Sequence, residues 1–302
     1  MSPASPNTAS PLRERLAACR ARALSRGALQ PIATRCEVVD DGGLPFAVHV
    51  LSSAARKAEA RHRELQTDGP RPNPFLPYDE DLYVGPAGPD HACLLNKFNV
   101  VDEHLLVVTR AFEAQETRLT PADFAALWEL LWEEEGLAFY NSGTAAGASQ
   151  PHRHLQLVLG PLCPGGPALP IGPACERALQ QNLRALPELP LAHAFQALPG
   201  AADAGAAAAQ SARLYDDLLA SQGLVPQGPG SGRADPAPYN LLLTRTWMMV
   251  VPRERECFGP VSVNALGFAG ALLVRNDEEL ALLTARGPLE VLRHVGLPRS
   301  HR

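Results

Sequence analysis

The stretch from Ser142 to Leu159 constrains this chain most, because a loop containing glycine and serine runs directly into an alternating strand. Side chains in a β-strand alternate between its two faces. The sequence therefore places two imidazoles and an amide on one face, those of His152, His154 and Gln156. Arg153 and two leucines occupy the other face. The preceding loop can present backbone N–H groups to an anion, so this stretch is predicted to carry the chemistry. An edge strand with polar residues facing water is the alternative.

Composition limits the class of ligand. The chain has 302 residues, enough for one large domain or two ordinary ones, and 46% hydrophobic with 20% charged residues is typical of a soluble globular protein. The net charge of −5 and the pI of about 6.0 do not provide the basic field of a duplex nucleic-acid binder. We therefore expect no nucleic-acid partner, and an anionic ligand held by a local pocket.

Six cysteines are scattered along the chain with no Cys-x-x-Cys pair. This pattern argues against a zinc knuckle or a disulfide framework and favours reduced thiols in the cytoplasm. The N-terminus lacks a basic region followed by an apolar core, and no apolar run approaches about 18 residues. A cytoplasmic protein with no signal peptide and no membrane partner is expected.

Four regions are predicted along the chain. Residues 1–35 form an N-terminal extension, disordered at first and then a surface helix. Residues 36–160 form the catalytic region, with hairpins within 36–51 and 94–110 and a helix that begins after Thr120. Residues 161–238, rich in proline and alanine, are read as an insertion or linker with partial disorder. A pattern of strand, tight turn and strand appears again from residue 239. Residues 239–302 form a C-terminal region that is predicted to pack on the same sheet.

Imidazole beside an anion-binding loop suits metal ligation, acid–base catalysis or covalent transfer. A zinc site needs about four ligands, and no cysteine pair or His-Glu-x-x-His helix supplies the remainder. No metal site is therefore expected. Covalent transfer fits better, because a neutral, oriented histidine can attack phosphorus while adjacent donors hold the phosphoryl oxygens.

The residues 141–156, Asn-Ser-Gly-Thr-Ala-Ala-Gly-Ala-Ser-Gln-Pro-His-Arg-His-Leu-Gln, carry a specific resemblance together with Asn96-Lys97-Phe98 and residues 103–109. They resemble the diadenosine tetraphosphate (Ap4A) phosphorylase, or ATP adenylyltransferase, family of the histidine-triad superfamily. The segments 239–253, 266–274 and 287–292 resemble the C-terminal region of that family. The resemblance covers most of the chain outside the first 35 residues and the proline- and alanine-rich segment.

The resemblance implies a role for each matching residue. His154 would be the nucleophile that carries a covalent adenylyl group, Gln156 would bond the phosphoryl oxygen or the bridging atom, and His152 would orient His154 or the loop. In the superfamily, glutamine at this place accompanies transfer to phosphate rather than hydrolysis. Substrate-binding roles would fall to Lys57, Asn96, Lys97, Asn141, Gly147, Ala148, Ser149, Gln150, Asn240 and Arg245.

The implied fold is α+β, a histidine-triad-like antiparallel sheet with flanking helices, also similar to uridylyltransferases. The implied reaction cleaves Ap4A with inorganic phosphate to ADP and ATP. Its partners would be those four small molecules, and the chain would act as a monomer or homodimer. No protein-bound cofactor is implied, although a divalent cation such as Mg²⁺ would accompany the nucleotide. Two alternatives are a nucleotide-sugar transferase, suggested by the Gln-Pro-His-Arg-His run, and a non-catalytic dinucleotide-binding protein.

Overall fold

The computed structural model describes residues 10–56, 73–225 and 235–299, and these are built around an eight-stranded sheet. Lys57, the first nine residues and the Gly-Pro-Gly-Ser-Gly run at 228–232 lie outside the described residues. The strands, in chain order, are β1 (Thr34–Asp41), β2 (Leu44–Leu51), β3 (Tyr83–Ala87), β4 (His91–Leu95), β5 (His104–Thr109), β6 (Leu137–Asn141), β7 (His154–Val158), β8 (Ala194–Ala197), β9 (Tyr239–Leu243), β10 (Trp247–Pro252), β11 (Cys257–Phe258), β12 (Val261–Ser262) and β13 (Ala271–Val274). The described residues include the α-helices α1 (Pro11–Ser25), α2 (Pro121–Glu133), α3 (Gly172–Gln180), α4 (Ala204–Ser221), α5 (Ala265–Phe268), α6 (Asp277–Arg286) and α7 (Pro288–Val295).

The large sheet has the order β3-β4-β5-β7-β6-β9-β10-β8, and every neighbouring pair in it is antiparallel. A smaller sheet has the order β1-β2-β13, in which β13 runs parallel to β2. Helices flank both sheets. The α+β class with an antiparallel sheet and flanking helices is thereby confirmed. The strand that carries the histidines, β7, lies in the middle of the large sheet.

The two faces of the large sheet bury separate hydrophobic cores. Leu155 and Leu157 of β7 pack into the core that includes α1, α2 and α4. Val158 faces the second core, which includes the small sheet and the C-terminal helices. A third, smaller cluster of Phe75, Ala92, Leu94, Leu106 and Val108 lies beside the histidine end of β7. Burial on both faces keeps β7 rigid, because neighbouring strands and packed side chains together restrict its movement.

Helix α2 begins as its sequence predicts. The Thr120 side chain accepts a hydrogen bond from the Asp123 backbone N–H, and the Asp123 side chain accepts one from the Thr120 backbone N–H, which completes a capping box. Pro121 occupies the first turn, where a missing N–H costs nothing. Phe124, Leu127 and Leu131 follow at helical spacing and are buried in the core, as expected.

The segment predicted as an insertion contributes regular structure in its described part. It supplies α3, α4 and β8, and β8 is an edge strand of the large sheet paired with β10. Helix α4 buries seven residues, including Leu214, Tyr215 and Leu218. Residues 172–225 are therefore integrated into the large sheet and its helical layer.

One expectation about the cysteines is wrong. Cys36 on β1 and Cys163, five residues after β7, form a disulfide with their Cα atoms 6.3 Å apart. The other four, Cys19, Cys93, Cys175 and Cys257, are free. Spacing rules detect neighbouring cysteines, whereas this pair is separated by 127 positions and meets only through the packing of the small sheet against the loop after β7.

Among the described helices, none combines the length and apolar character needed to cross a membrane.

Candidate active site

His154, the first residue of β7, is held in the tautomer that a nucleophile requires. Its Nδ1 lies 2.8 Å from the carbonyl oxygen of His152. A carbonyl oxygen only accepts, so Nδ1 carries the proton and Nε2 keeps a free lone pair. Burial lowers the pKa of His154 to about 4, which leaves the ring neutral at physiological pH. No described residue forms a hydrogen bond with Nε2.

His152 is occupied by protein groups at both ring nitrogens. Its Nε2–H donates to the carbonyl oxygen of Thr109 at 2.8 Å and to the Thr109 hydroxyl at 2.9 Å. Its Nδ1 accepts from the Asn73 side-chain amide at 2.9 Å. Neither ring nitrogen of His152 is free, and it is the carbonyl of this residue that fixes the ring of His154. Burial lowers the pKa of His152 as well.

Gln156 is oriented by a histidine that lies outside the His-x-His-x-Gln run. Nδ1 of His104 lies 3.2 Å from Asn96 Nδ2, an obligatory donor, so Nδ1 is the acceptor. His104 Nε2–H therefore donates to Gln156 Oε1 at 2.9 Å. Burial lowers the pKa of His104 to about 4, in keeping with a neutral ring. With Oε1 engaged, the Nε2 amide group of Gln156 is left to donate to a ligand on the same strand face as His154.

The loop between β6 and β7 is shaped by internal hydrogen bonds. Gly147 has φ +87°, and a Cβ there would lie 2.7 Å from the carbonyl oxygen of Val263, so the position requires glycine. The Gly147 and Ala148 N–H groups donate to Thr144 and Gly143 within the loop. These two amides are therefore not available as anion donors. Ser149 is exposed and Gln150 half-buried.

Asn141 and Asn240, both predicted to bind ligand, form hydrogen bonds that hold the loop between β6 and β7. Asn141 Oδ1 accepts from Asn240 Nδ2 at 2.8 Å and from the Ala265 backbone N–H at 2.9 Å. Asn240 Nδ2 also donates to the Ala146 carbonyl at 2.8 Å. Both side chains are buried, 2% and 0% exposed. These hydrogen bonds of the two asparagine side chains hold the loop and the end of β6 in place.

Arg253 continues this network and is a residue that sequence reasoning missed. It is 3% exposed, and it donates to Asn240 Oδ1 at 2.5 Å and to the carbonyl oxygens of Ala146 and Val263. Within residues 10–56, 73–225 and 235–299, no carboxylate forms an ion pair with it. Burial lowers its pKa to about 10, so it remains a cation. An unpaired buried charge directly beneath the loop favours an anion above it.

A buried ionic network lies on the opposite face of β7. Arg153 is 2% exposed and pairs with Asp123 of α2 at 3.1 Å and with Glu113. Asp123, 0% exposed, also accepts from His91 Nε2 at 2.8 Å. Burial alone would raise the pKa of Asp123, but the His91 hydrogen bond and the Arg153 charge outweigh it and lower the pKa. The network anchors the start of β7 to the start of α2.

The remaining sequence-derived candidates divide into two groups. Asn96 lies in the turn between β4 and β5 and is joined to Gln156 through His104, so it lies beside the site. Lys97 follows it in the same turn, with its ammonium group over the ring of Phe98. Arg245 is at the other end of β9, where it donates to the carbonyl oxygens of Leu131 and Trp132. The predicted substrate-binding role of Arg245 is therefore wrong. The side chain caps the C-terminal end of α2, where exposed carbonyls and the helix dipole attract a cation.

Several site residues had no sequence signal of their own. Asn73 and Gln115 lie in irregular segments, and Thr109 ends an apolar strand. The described residues contain no group of three or more histidine, cysteine, aspartate or glutamate side chains arranged to hold a metal. The site is thus assembled from neutral imidazoles, amides and a buried guanidinium.

Acid pH is expected to destabilise the fold through its buried histidines. Burial lowers the pKa of His104, His154 and His193 to about 4, whereas an unfolded histidine titrates near about 6.5. Between these values the unfolded chain binds more protons, so the free energy of unfolding should fall as pH drops from about 6.5 towards 4. Urea unfolding across this range measures the slope. The His193→Gln variant should show a smaller slope, and an identical slope would contradict the assignment for His193.

The comparisons with known proteins agree with this geometry. The profile described as the Ap4A phosphorylase N-terminal domain matches residues 3–177, and that described as the ATP adenylyltransferase C-terminal domain matches residues 187–298. The chain belongs to the Ap4A phosphorylase family. The resemblance read from residues 96–98, 103–109 and 141–156 is therefore confirmed.

Two relatives come from Saccharomyces cerevisiae. Diadenosine 5′,5‴-P1,P4-tetraphosphate phosphorylase 2 is 31% identical over 279 residues, covering 79% of each chain. Protein APA1 is 28% identical over 297 residues, covering 85% of this chain and 84% of its own. The crystal structure of yeast Ap4A phosphorylase Apa2 with AMP superposes with a TM-score of 0.75 at 26% identity, covering 96% of this chain and 97% of that one. The complex of Apa2 with Ap4A superposes with a TM-score of 0.74 at 26% identity, covering 96% and 99%.

Proposed function

We propose that this protein cleaves diadenosine tetraphosphate with inorganic phosphate to ADP and ATP, through an adenylyl group carried on His154. The observation that supports this most directly is the state of His154: it is neutral, its Nδ1–H is bound to the His152 carbonyl, and no described residue occupies its Nε2. The activity is also that named for the yeast relative.

The first step is a displacement at an adenylyl phosphorus. His154 Nε2 donates its lone pair to phosphorus, the bond from phosphorus to the bridging oxygen breaks, and ATP leaves with that electron pair. Positive charge develops on the imidazole as the N–P bond forms. The Nδ1–H bonded to the His152 carbonyl at 2.8 Å stabilises this charge.

The second step returns the histidine. An oxygen of inorganic phosphate attacks the same phosphorus, the N–P bond breaks, and ADP leaves while His154 recovers its neutral ring. In both steps the amide group of Gln156, oriented by His104 at 2.9 Å, donates to a phosphoryl oxygen. The guanidinium cation of Arg253, beneath the loop, attracts the negative charge of the polyphosphate.

The surrounding residues supply binding and shape. Ser149, Gln150, Asn96 and Lys97 are proposed to contact nucleotide or phosphate, and Lys57 keeps this role as a prediction from sequence. Asn141 and Asn240 act by holding the loop. The proposed ligands are Ap4A, ATP, ADP and phosphate, with Mg²⁺ accompanying the nucleotide and no protein-bound cofactor. A cytoplasmic location is part of the proposal.

Product analysis tests the reaction. Purified protein incubated with Ap4A and isotopically labelled phosphate is expected to give unlabelled ATP, and ADP labelled in its terminal phosphate. Omission of phosphate should stop turnover after one adenylyl group per enzyme, detectable by mass spectrometry on the peptide containing His154. Two molecules of ADP per Ap4A with no incorporated label, or AMP and ATP formed without phosphate, would overturn the proposal. Uridylyl transfer from UDP-glucose would favour the nucleotide-sugar alternative.

A further inference from the structure

The ladder between β6 and β7 stops before it reaches the nucleophile. The two strands pair from Leu137 opposite Val158 to Phe139 opposite Gln156. Continued register would place Asn141 opposite His154, but the pairing of β6 with β7 ends at Phe139 and Gln156, although β6 continues to Asn141, whose other edge pairs with Asn240 of β9. The backbone of His154 therefore lacks its expected partner on this side, at the point where the strands separate to admit the loop of residues 142–151.

The side chain of Gln115 occupies the position of the missing partner. Its Oε1 accepts from the His154 backbone N–H at 2.9 Å, and its Nε2 donates to the His154 carbonyl at 3.2 Å. The same Nε2 donates to the Asn141 carbonyl at 2.8 Å. A primary amide has the donor and acceptor of a peptide group, so one side chain extends the ladder by one position while leaving the strands apart.

Gln115 is itself fixed from both ends of the loop. Its backbone N–H donates to the Pro151 carbonyl at 2.9 Å, and its carbonyl accepts from the Tyr140 hydroxyl. The residue is 0% exposed. Each polar group of Gln115 is thus engaged by protein atoms on β6, on β7 or at the end of the loop. It has no free group for a ligand and can affect chemistry only through His154.

We infer that Gln115 is a positioning residue that sets the backbone of His154 and thereby aims its Nε2 at the adenylyl phosphorus. This inference rests on the proposed function. The angle of an imidazole follows the φ and ψ of its own residue, and a displacement of about 1 Å in a reacting group costs on the order of 10²-fold in rate. Loss of the hydrogen bonds between the Gln115 side chain and the His154 backbone should therefore lower kcat, because substrate binding uses other residues.

Gln115→Glu distinguishes the acceptor contact of the Gln115 side chain from its donor contacts. The carboxylate keeps an acceptor for the His154 N–H but presents a second bare oxygen to the carbonyls of Asn141 and His154. Protonation restores a donor there, and burial raises the pKa of such a carboxyl. We expect kcat to fall by roughly 10- to 100-fold at pH 8, with KM within about threefold of the wild type. The ratio of variant to wild-type kcat should rise as pH is lowered towards 6.

The matched control is Gln196→Glu on the edge strand β8, three strands away from β6. It makes the same chemical change and should leave kcat, KM and their pH profiles unchanged. Gln115→Met, similar in length but without hydrogen bonds, should lose kcat with no recovery at lower pH. Circular dichroism and thermal unfolding of all three variants establish the folded fraction at the assay temperature.

Several outcomes would overturn the inference. They are a folded Gln115→Met with wild-type kcat, a loss confined to KM, or a Gln115→Glu profile parallel to that of the wild type. Failure of both Gln115 variants to fold would also do so, because the residue would then serve the fold alone. Wild-type enzyme in the same assay keeps the two proposals apart: if it forms no ADP and ATP from Ap4A and phosphate, the proposed function fails, whatever the variants do.

Discussion

Replacement of His154 by alanine is expected to reduce formation of ADP and ATP by roughly 10⁴-fold or more, the scale seen when a covalent nucleophile is removed. The expectation follows from the ring geometry: no other described imidazole on this strand has a free nitrogen, since both nitrogens of His152 are bonded to protein groups. Steady-state turnover of Ap4A with phosphate measures the loss. Mass spectrometry of enzyme quenched without phosphate should show no adenylyl group on the variant.

The control for this experiment is His294→Ala. His294 is exposed on α7, where its ring packs on Phe258, and its loss should leave both turnover and labelling intact. Nucleotide binding by the His154 variant, measured by calorimetry with AMP, should be retained. Undiminished labelling of the His154 variant would show that another residue carries the adenylyl group.

Removal of the Asp123 carboxylate is expected to cost about 3–5 kcal/mol in the free energy of unfolding, because the buried Arg153 guanidinium loses its fully buried partner and keeps only Glu113, whose side chain is 44% exposed. Asp123→Ala also removes the acceptor of the His91 Nε2–H and one half of the capping box at the start of α2, in which Thr120 is the N-cap. Urea unfolding measures the change, with a constant m value as the sign that the unfolded state is the same.

Asp216→Ala provides a comparison with the same chemistry at the surface. Asp216 pairs with Arg118 at 2.7 Å, but its side chain is 47% exposed, so about 1 kcal/mol or less should be lost. A similar small loss for Asp123→Ala would contradict the view that the buried pair anchors β7 to α2.

Local patterns in the sequence predicted the parts of this fold that depend on near neighbours. The Thr120–Asp123 capping box is four residues long, and the alternation of β7 follows from the geometry of a single strand. Such features need no knowledge of the rest of the chain. The family resemblance added the roles of His154 and Gln156, which spacing alone left open among metal, acid–base and covalent chemistry.

Residues whose role depends on distant partners were not predictable in this way. Gln115 lies in an irregular segment, and it meets His154 only because two strands separate there. Arg253 reads as the polar end of an apolar strand, and only the folded chain shows that it is buried beneath the loop. Arg245 shows the converse error, since the resemblance implied a substrate-binding role but its guanidinium caps the C-terminal end of α2.

The disulfide between Cys36 and Cys163 has a topological consequence. It closes a covalent ring across 127 positions, and that ring contains His104, His152, His154, Gln115 and the whole loop before β7. Asn240 and Arg253 lie outside the ring and reach the loop through hydrogen bonds alone. A ring of this size removes about 5 kcal/mol of chain entropy from the unfolded state. The disulfide therefore ties these residues covalently into one closed segment, whereas β9 is held to that segment by its noncovalent pairing with β6.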